Sequence, residues 1–233
     1  MEFLADLHWG AVFQIVLIDI LLGGDNAVVI ALACRGLPAE QRRSGVLWGT
    51  VGAIVLRLVL ISFAVMLLNL PFVKLAGGLL LFWIGVRLTM PESDKGHDVK
   101  PASRLIGAIR TIIVADFVMS LDNVIAIAGA ADAAHADHRI GLVAFGLILS
   151  IPIIVFGSQL VLKLLDRFPA IIFAGAALLG WIGGGLIASD PLLSGRWPAL
   201  HAGPAHTVAA IVGALLVLLL ALLMRRRLPA AGH

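Results

Sequence analysis

The chain has 233 residues, of which 61% are hydrophobic and 13% charged, with a mean hydropathy of +1.05, a net charge of +3 and a pI near 9.6. A soluble domain is about 45–50% apolar and about 25% charged, so this composition excludes a soluble globule and points to an all-α integral membrane protein held in a lipid bilayer. The basic residues sit at the ends of apolar segments rather than in one patch, which excludes nucleic acid as a partner, and the single cysteine, Cys34, excludes an intramolecular disulfide.

A spanning helix needs about 20 mainly apolar residues, and the chain offers seven such segments. The first, 10–34, carries Asp19, Asp25 and Asn26, with Gly23-Gly24 just before the pair. No positive charge precedes it and it is long enough to span, so it is expected to stay as a helix rather than be cleaved as a signal. The second, 45–69, follows the turn Arg35-Gly36-Leu37-Pro38 and contains Arg57 in mid-span. The third, 71–90, contains Gly77-Gly78 and ends at Pro91-Glu92-Ser93-Asp94-Lys95. The fourth, 105–131, carries Asp116, Ser120, Asp122 and Asn123. The fifth is 139–163, reached through the polar outer loop Asp132 to His138, whose two His and two Asp residues could bind metal weakly at an exit but read first as a solvated connection. The sixth, 169–189, contains Gly183-Gly184-Gly185, and the glycines of the third and sixth segments read as close helix packing. A loop from Pro191 through Pro204 leads to the seventh, 207–224, which ends in Arg225-Arg226-Arg227. These seven helices make one transmembrane domain over 1–233, with no room for a separate soluble domain.

Lys and Arg set the expected orientation. With the N-terminus outside, 13 of the 17 basic residues fall at inner ends, Lys74, Arg139 and Arg196 fall at outer ends, and Arg57 lies between. Cytoplasmic loops carry the excess, so the N-terminus is expected in the periplasm and the C-terminus in the cytoplasm.

The chain repeats itself. Asp19, Asp25 and Asn26 match Asp116, Asp122 and Asn123 at an offset of 97. After one inserted residue, Pro71, Ala76-Gly77, Leu80-Leu81, Trp83-Ile84-Gly85 and Leu88 match Pro169, Ala174-Gly175, Leu178-Leu179, Trp181-Ile182-Gly183 and Leu186. Shared apolar composition gives chance Leu and Ala matches, but not Pro, Trp and Gly in register. The first repeat covers about 10–90 and the second about 105–189, with an accessory helix at about 207–224. Three segments per repeat is an odd number, so the second repeat is inverted relative to the first, a transporter architecture with its site near mid-membrane.

A carboxylate at the bilayer centre costs at least about 2.5–3.5 kcal/mol and needs a partner, a proton or a cation. Asp19 and Asp25 are six residues apart, about 600° of helical rotation, so a straight helix keeps them off a common face. Gly23-Gly24 weakens the helix, and an unwound turn at 22–26 would bring both carboxylates and free carbonyls to one cavity. In the second repeat Ser120 and Leu121 replace the two glycines, and that helix is expected to be kinked at most. Carboxylate, amide and carbonyl oxygens are hard ligands suited to Mn²⁺, Ca²⁺ or Mg²⁺, and no mid-span His or Cys pair suggests Zn²⁺ or Cu⁺. Asp19, Asp25, Asn26, Asp116, Asp122 and Asn123 are the expected cation ligands. Arg57 is a charge partner, pairing with Asp19 or Asp116 to lock helices or taking part in transport. The bland alternative is that the Asp-Asn pairs tie helices together by hydrogen bonds.

Four carboxylates and one guanidinium facing one cavity carry −3 if all are ionised, and a divalent cation leaves −1. Close carboxylates cannot all stay charged when the ion departs, so protons are expected to exchange with it, as in antiport. No hydrolytic constellation is present, since Ser120 near Asp122 lacks a base, and no phosphate loop could drive transport with ATP. The chain is therefore not expected to be an enzyme or to hold a resident cofactor. A homo-oligomer is compatible with the pattern but not dictated by it.

At Gly-Gly-Asp-Asn-Ala-Val-Val-Ile (23–30) and Ser-Leu-Asp-Asn-Val-Ile-Ala-Ile-Ala (120–128) the sequence resembles the TerC family of bacterial inner-membrane proteins, within the LysE-type transporter superfamily. The resemblance covers about 10–190, and the compact size is similar to the short YjbE-type branch, which lacks added cytoplasmic domains. It implies export of Mn²⁺ and a link to tellurite resistance, with Asp25, Asn26, Asp122 and Asn123 as ion ligands and Asp19 and Asp116 completing the site. A membrane assembly or stress-resistance factor without transport is the alternative. An amino-acid exporter is weaker, because its substrate would need a carboxylate receptor and Arg57 is the only mid-span cation.

Overall fold

The structure, a computed structural model, describes residues 9–68, 70, 72–90, 101–133, 139–197 and 203–227, with side chains outside the description at 9–12, 14–15, 18–23, 62–68, 101, 122–133, 139–142, 194 and 227. The outer loop of 134–138 lies outside the described residues. Among those described, the chain is wholly helical: α1 (Trp9–Cys34), α2 (Ala39–Leu68), α3 (Val73–Thr89), α4 (Pro101–Ala133), α5 (Arg139–Arg167), α6 (Ile171–Ala188), the short α7 (Pro191–Arg196) and α8 (Pro204–Arg227). Each of the seven apolar segments lies on one of the long helices. Four stretches among the described residues are long and apolar enough to cross a membrane: Ala39–Ile61, Val143–Arg167, Ile171–Ala188 and Pro204–Arg226. Large apolar side chains such as Phe156, Val55 and Leu215 are exposed along these helices, as suits surfaces that meet hydrocarbon rather than water.

The helices gather into two compact units. One holds Met1–Leu68 and Leu105–Lys163, the other Asn69–Arg104 and Leu164–His233. The units therefore cut across the sequence repeats: the first two helices of both repeats share one unit, and the third helices share the other with α8.

In the first unit, α1 and α2 form a hairpin. Arg35 to Pro38 make the turn, Leu37 N–H donates to the Cys34 carbonyl at 3.1 Å, and Gln41 N–H donates to the Pro38 carbonyl at 2.8 Å to start α2. Arg42 reaches back with its guanidinium to the Leu37 and Arg35 carbonyls at 3.1 and 2.9 Å, supplying donors to carbonyls that the helix end leaves without partners. Alongside, α2 and α4 run in the same direction. Gly45 faces Leu105, Gly49 faces Ile112, Gly52 faces Ile113, and Arg57 meets Asp116. At Gly49 and Gly52 an added methyl would strike those isoleucines, so the glycines let the two helices approach where Arg57 must reach across.

In the second unit, small residues bring backbones together. Gly78 of α3 opposes Gly183 of α6, and Gly85 opposes Ala176, so the two helices are antiparallel. Gly180 and Gly184 of α6 oppose Gly213 and Ala209 of α8, again antiparallel, and a Cβ at any of these glycines would press on a facing backbone carbonyl. This is the close approach that the glycine-rich segments led one to expect. Val86, Ala176 and Val217 fill the space between the three helices, with Phe82 and Met90 against them.

Candidate functional site

Arg57, Asp116 and Ser120 form a closed ring inside the first unit. Asp116 and Ser120 are one helical turn apart on α4 and so share a face; Arg57 reaches them from α2. All three are buried, at 1%, 4% and 0% exposure. Arg57 Nη2 donates to Asp116 Oδ1 in a buried ion pair. Its Nε donates to Ser120 Oγ at 3.0 Å, and that hydroxyl donates to Asp116 Oδ2 at 3.1 Å. Both carboxylate oxygens are thus occupied. Two charges taken out of water are tolerable only with this kind of full pairing. Of the two partners expected for Arg57, Asp116 is bonded to it, and the side chain of Asp19 lies outside the described residues.

Asp25 and Asn26 of α1 belong to the same unit as the ring. Asn26 is 4% exposed, and neither its Oδ1 nor its Nδ2 has a hydrogen-bond partner; Asp25 Oδ1 is likewise buried and without one. Asp25 lies close enough to Arg57 and Asp116 for both charges to act on it. A buried polar atom left without a partner costs about 1–3 kcal/mol, and a run of three such atoms on adjacent residues is what a site awaiting an external ligand looks like. The nearby buried hydroxyls do not compete for this role. Thr50 and Ser158 each donate back to a carbonyl one turn earlier in their own helix, both at 2.8 Å.

The expected unwound turn at 22–26 is not there. α1 continues as a regular helix from Trp9 to Cys34, through Gly23-Gly24, and α4 is likewise continuous across 116–123. A broken turn inside a membrane strands backbone N–H and C=O groups, and that cost outweighs the roughly 1 kcal/mol that a glycine takes from a helix. With α1 regular, the six-residue step from Asp19 to Asp25 no longer turns both positions to one side through the backbone. Of the six expected ligands, the structure describes the side chains of Asp25, Asn26 and Asp116 and brings these into one neighbourhood; the side chains of Asp19, Asp122 and Asn123 lie outside the described residues. Among the described residues no three His, Cys, Asp or Glu side chains converge as a ready metal cluster. The donors on view are two carboxylates, an amide and a hydroxyl, all hard oxygen chemistry. Cys34 is buried at the far end of α1 against Gly45 and takes no part.

Two residues escaped the sequence reading. Ser120 stood there as the counterpart of Gly23 and as a hydroxyl without a base, yet it closes the ring. Asp190, in what was read as a loop, is fully buried at the N-terminus of α7. Its carboxylate accepts from Leu192 N–H at 3.0 Å, from Phe72 N–H at 3.3 Å and from Leu75 N–H at 3.0 Å. The dipeptide Asp190-Pro191 was its signal, an N-cap residue followed by proline at the first helical position.

The family model described as "Integral membrane protein TerC family" matches residues 4–228. The uncharacterized membrane protein YjbE of Bacillus subtilis is 45% identical over 205 residues, covering 88% of this chain and 90% of that protein. The inner membrane protein YgdQ of Escherichia coli is 28% identical over 197 residues, 77% of this chain and 80% of its own. YegH of Escherichia coli is 26% identical over 209 residues, which are 81% of this chain but 38% of that longer protein. No solved structure matches the chain.

Proposed function

The chain belongs to the TerC family of integral membrane proteins, and on that premise we propose that it moves a divalent metal ion, Mn²⁺ above all, out of the cytoplasm across a bacterial inner membrane in exchange for protons. The observation that carries this reading is the set of partnerless oxygen and amide atoms on Asp25 and Asn26, buried in an apolar helix beside a second carboxylate. Burying polar groups at membrane depth is costly, and groups kept there mark ion pathways. Mn²⁺ suits the donors, with Ca²⁺ and Mg²⁺ as its competitors. Helix directions within each unit support the inverted repeats: α1 runs against α2 and hence against α4, and α3 runs against α6. Neither a resident cofactor nor catalysis is part of the proposal.

The test is flux. Purified protein in liposomes with a trapped pH dye should pass Mn²⁺ down an imposed gradient and move protons the opposite way. Mn²⁺ flux without a pH change would leave a uniporter, and no flux at all would end the transport reading. A second reading has its own support, because the Arg57–Asp116–Ser120 ring binds α2 to α4 as a purely structural element would. In that reading the protein is a membrane assembly or stress-resistance factor, and tellurite resistance would survive Asp25→Asn. An amino-acid exporter is disfavoured, since the guanidinium that would receive a substrate carboxylate is already engaged with Asp116.

Orientation follows from the basic bias. A reporter fused after Arg227 should be cytoplasmic and one placed ahead of Glu2 periplasmic; a membrane-impermeant reagent that labels the two ends the other way round would reverse the assignment.

A further inference from the structure

At one end of the second unit, arginines sit on aromatic rings. α3 finishes, α6 starts and α8 finishes at that end, because α6 is antiparallel to both. There the Arg87 guanidinium lies 4.9 Å from the centre of the Trp83 ring. Arg225 of α8 lies 5.4 Å from that of Phe173 of α6, and Arg167 lies 5.7 Å from that of Phe168, just ahead of α6. A ring face attracts a cation within about 6 Å of its centre. A topology signal needs only charge near a helix end; it does not require a guanidinium to be seated on a ring. Stacking takes up the flat face of the guanidinium, while its N–H fork lies in the plane, the geometry that grips a phosphate bidentately.

The surfaces that lead to these arginines suit an acyl chain. On α3, Leu79, Trp83 and Arg87 follow at steps of four, so they share a face, and all three are exposed. On α8, Leu215, Leu219, Leu222 and Arg226 follow at steps of four, three and four, and they too are exposed. Each stripe passes from apolar side chains to a guanidinium, on α3 by way of a tryptophan of the kind that settles at headgroup level. The sequence repeat does not copy the pairing. At the offset of 98 Trp83 corresponds to Trp181, but the counterpart of Arg87 is Gly185. The tryptophan recurs and the cation does not, so this is a feature of one end of the unit. Counted over the whole sequence of 87–104, 164–168 and 225–227, eight Lys and Arg stand against Glu92, Asp94, Asp98 and Asp166. The positive excess therefore survives when every acid in these stretches is included.

We infer that this rim binds anionic phospholipids, their phosphates held by the ring-stacked arginines Arg87 and Arg225 and their acyl chains laid along the exposed stripes of α3 and α8. Basic sites at the ends of membrane helices attract anionic headgroups. A zwitterionic lipid offers the same phosphate but brings its own cation, which the arginines repel. The site lies within the second unit and does not depend on what Asp25 and Asn26 of the first unit hold.

The test uses the full-length protein in dodecyl maltoside, titrated with dioleoylphosphatidylglycerol, dioleoylphosphatidylcholine or glycerol 3-phosphate. The readouts are the melting temperature and the lipid adducts retained in native mass spectrometry. Phosphatidylglycerol should raise the melting temperature and stay bound, while phosphatidylcholine and glycerol 3-phosphate at the same concentration should do neither. The Arg87→Lys, Arg225→Lys double variant keeps every charge but gives up both forks and their flat contact with the rings. Its phosphatidylglycerol midpoint should rise about tenfold, and that of each single variant about threefold, with a lipid-free melting temperature close to native because both side chains are exposed. The single variants carry the same test if the double variant does not fold. Arg196→Lys, an exposed arginine of α7 beyond the other end of α6, should bind as the native protein does. Lysine variants with native midpoints would reduce the arginines to plain charge and overturn the inference. An equal response to phosphatidylcholine would leave only an apolar surface, and one to glycerol 3-phosphate would make free phosphate the ligand; either overturns it. An equal loss in Arg196→Lys would overturn the placement at this end.

Discussion

Replacing Asp25 with Asn is expected to abolish Mn²⁺-driven flux and to weaken Mn²⁺ binding by about 100-fold or more, while the protein still folds. Loss of a partner that merely orients a metal ligand costs about 10–100-fold, so loss of a charged ligand belongs at or beyond the top of that range. Folding should survive because Asn keeps the shape of Asp and removes a charge whose Oδ1 has no hydrogen-bond partner; the host loses no hydrogen bond at that atom. Asn26→Leu tests the neighbouring donor. It removes two orphaned atoms at once, so thermal stability should hold or rise, while Mn²⁺ binding falls about tenfold, a smaller loss because a neutral oxygen is given up rather than a charge. By the repeat, Asp122→Asn should mirror Asp25→Asn. The measurements are radiolabelled Mn²⁺ uptake in proteoliposomes and Mn²⁺-dependent melting in detergent. Wild-type flux in Asp25→Asn would remove the site from the Asp25–Asn26 pair altogether.

The legible part of this molecule is what apolar run length and local chemistry decide. The segment 10–34 became Trp9–Cys34 and 139–163 became Arg139–Arg167, because in lipid a helix must continue until the chain can reach water or a turn residue. Glycine spacing in the third and sixth segments foretold their contact, since only a missing side chain lets two backbones meet as Gly78 and Gly183 do. Less was legible where a local preference was set against the membrane. Gly23-Gly24 signalled an opened turn, and the medium overruled it. Least legible were pairings between distant positions. Arg57 could have reached either Asp19 or Asp116 by charge alone. What ties it to Asp116 is Ser120 one turn further along α4, which offers Arg57 a second acceptor and gives Asp116 a second donor. Ser120 drew little notice in the sequence because a serine in a span more often bonds to its own helix, as Ser158 does. Asp190 was hidden for the same reason. Its partners Phe72 and Leu75 lie 118 and 115 residues away in the chain, and no periodicity carries that distance.

Asp190→Ala is expected to be the most destabilising substitution in the second unit, at about 3–5 kcal/mol. Three backbone N–H groups lose one shared acceptor. Leu192 N–H loses the cap of α7, worth about 1 kcal/mol, and the N–H groups of Phe72 and Leu75 are left without that acceptor at the start of α3, at about 1–3 kcal/mol each where they stay buried. The sum is held below simple addition because the three share one carboxylate. Phe72 adds to the cost. It sits at φ 69°, a left-handed conformation that a large side chain adopts at about 1–3 kcal/mol, and its N–H bond to Asp190 helps hold it there. Asp190→Asn should fall between native and Ala. Its one carbonyl oxygen can still serve Leu192 and Phe72, but its amide nitrogen would then face Leu75 N–H, donor against donor. Melting followed by tryptophan fluorescence should therefore rank native above Asn above Ala. The residue belongs to the second unit and the Asp25–Asn26 donors to the first, so the Mn²⁺ midpoint of the protein that remains folded should not move. An Ala variant as stable as the native protein would mean that the three N–H groups find water instead, and that Asp190 does not tie the start of α3 to the start of α7.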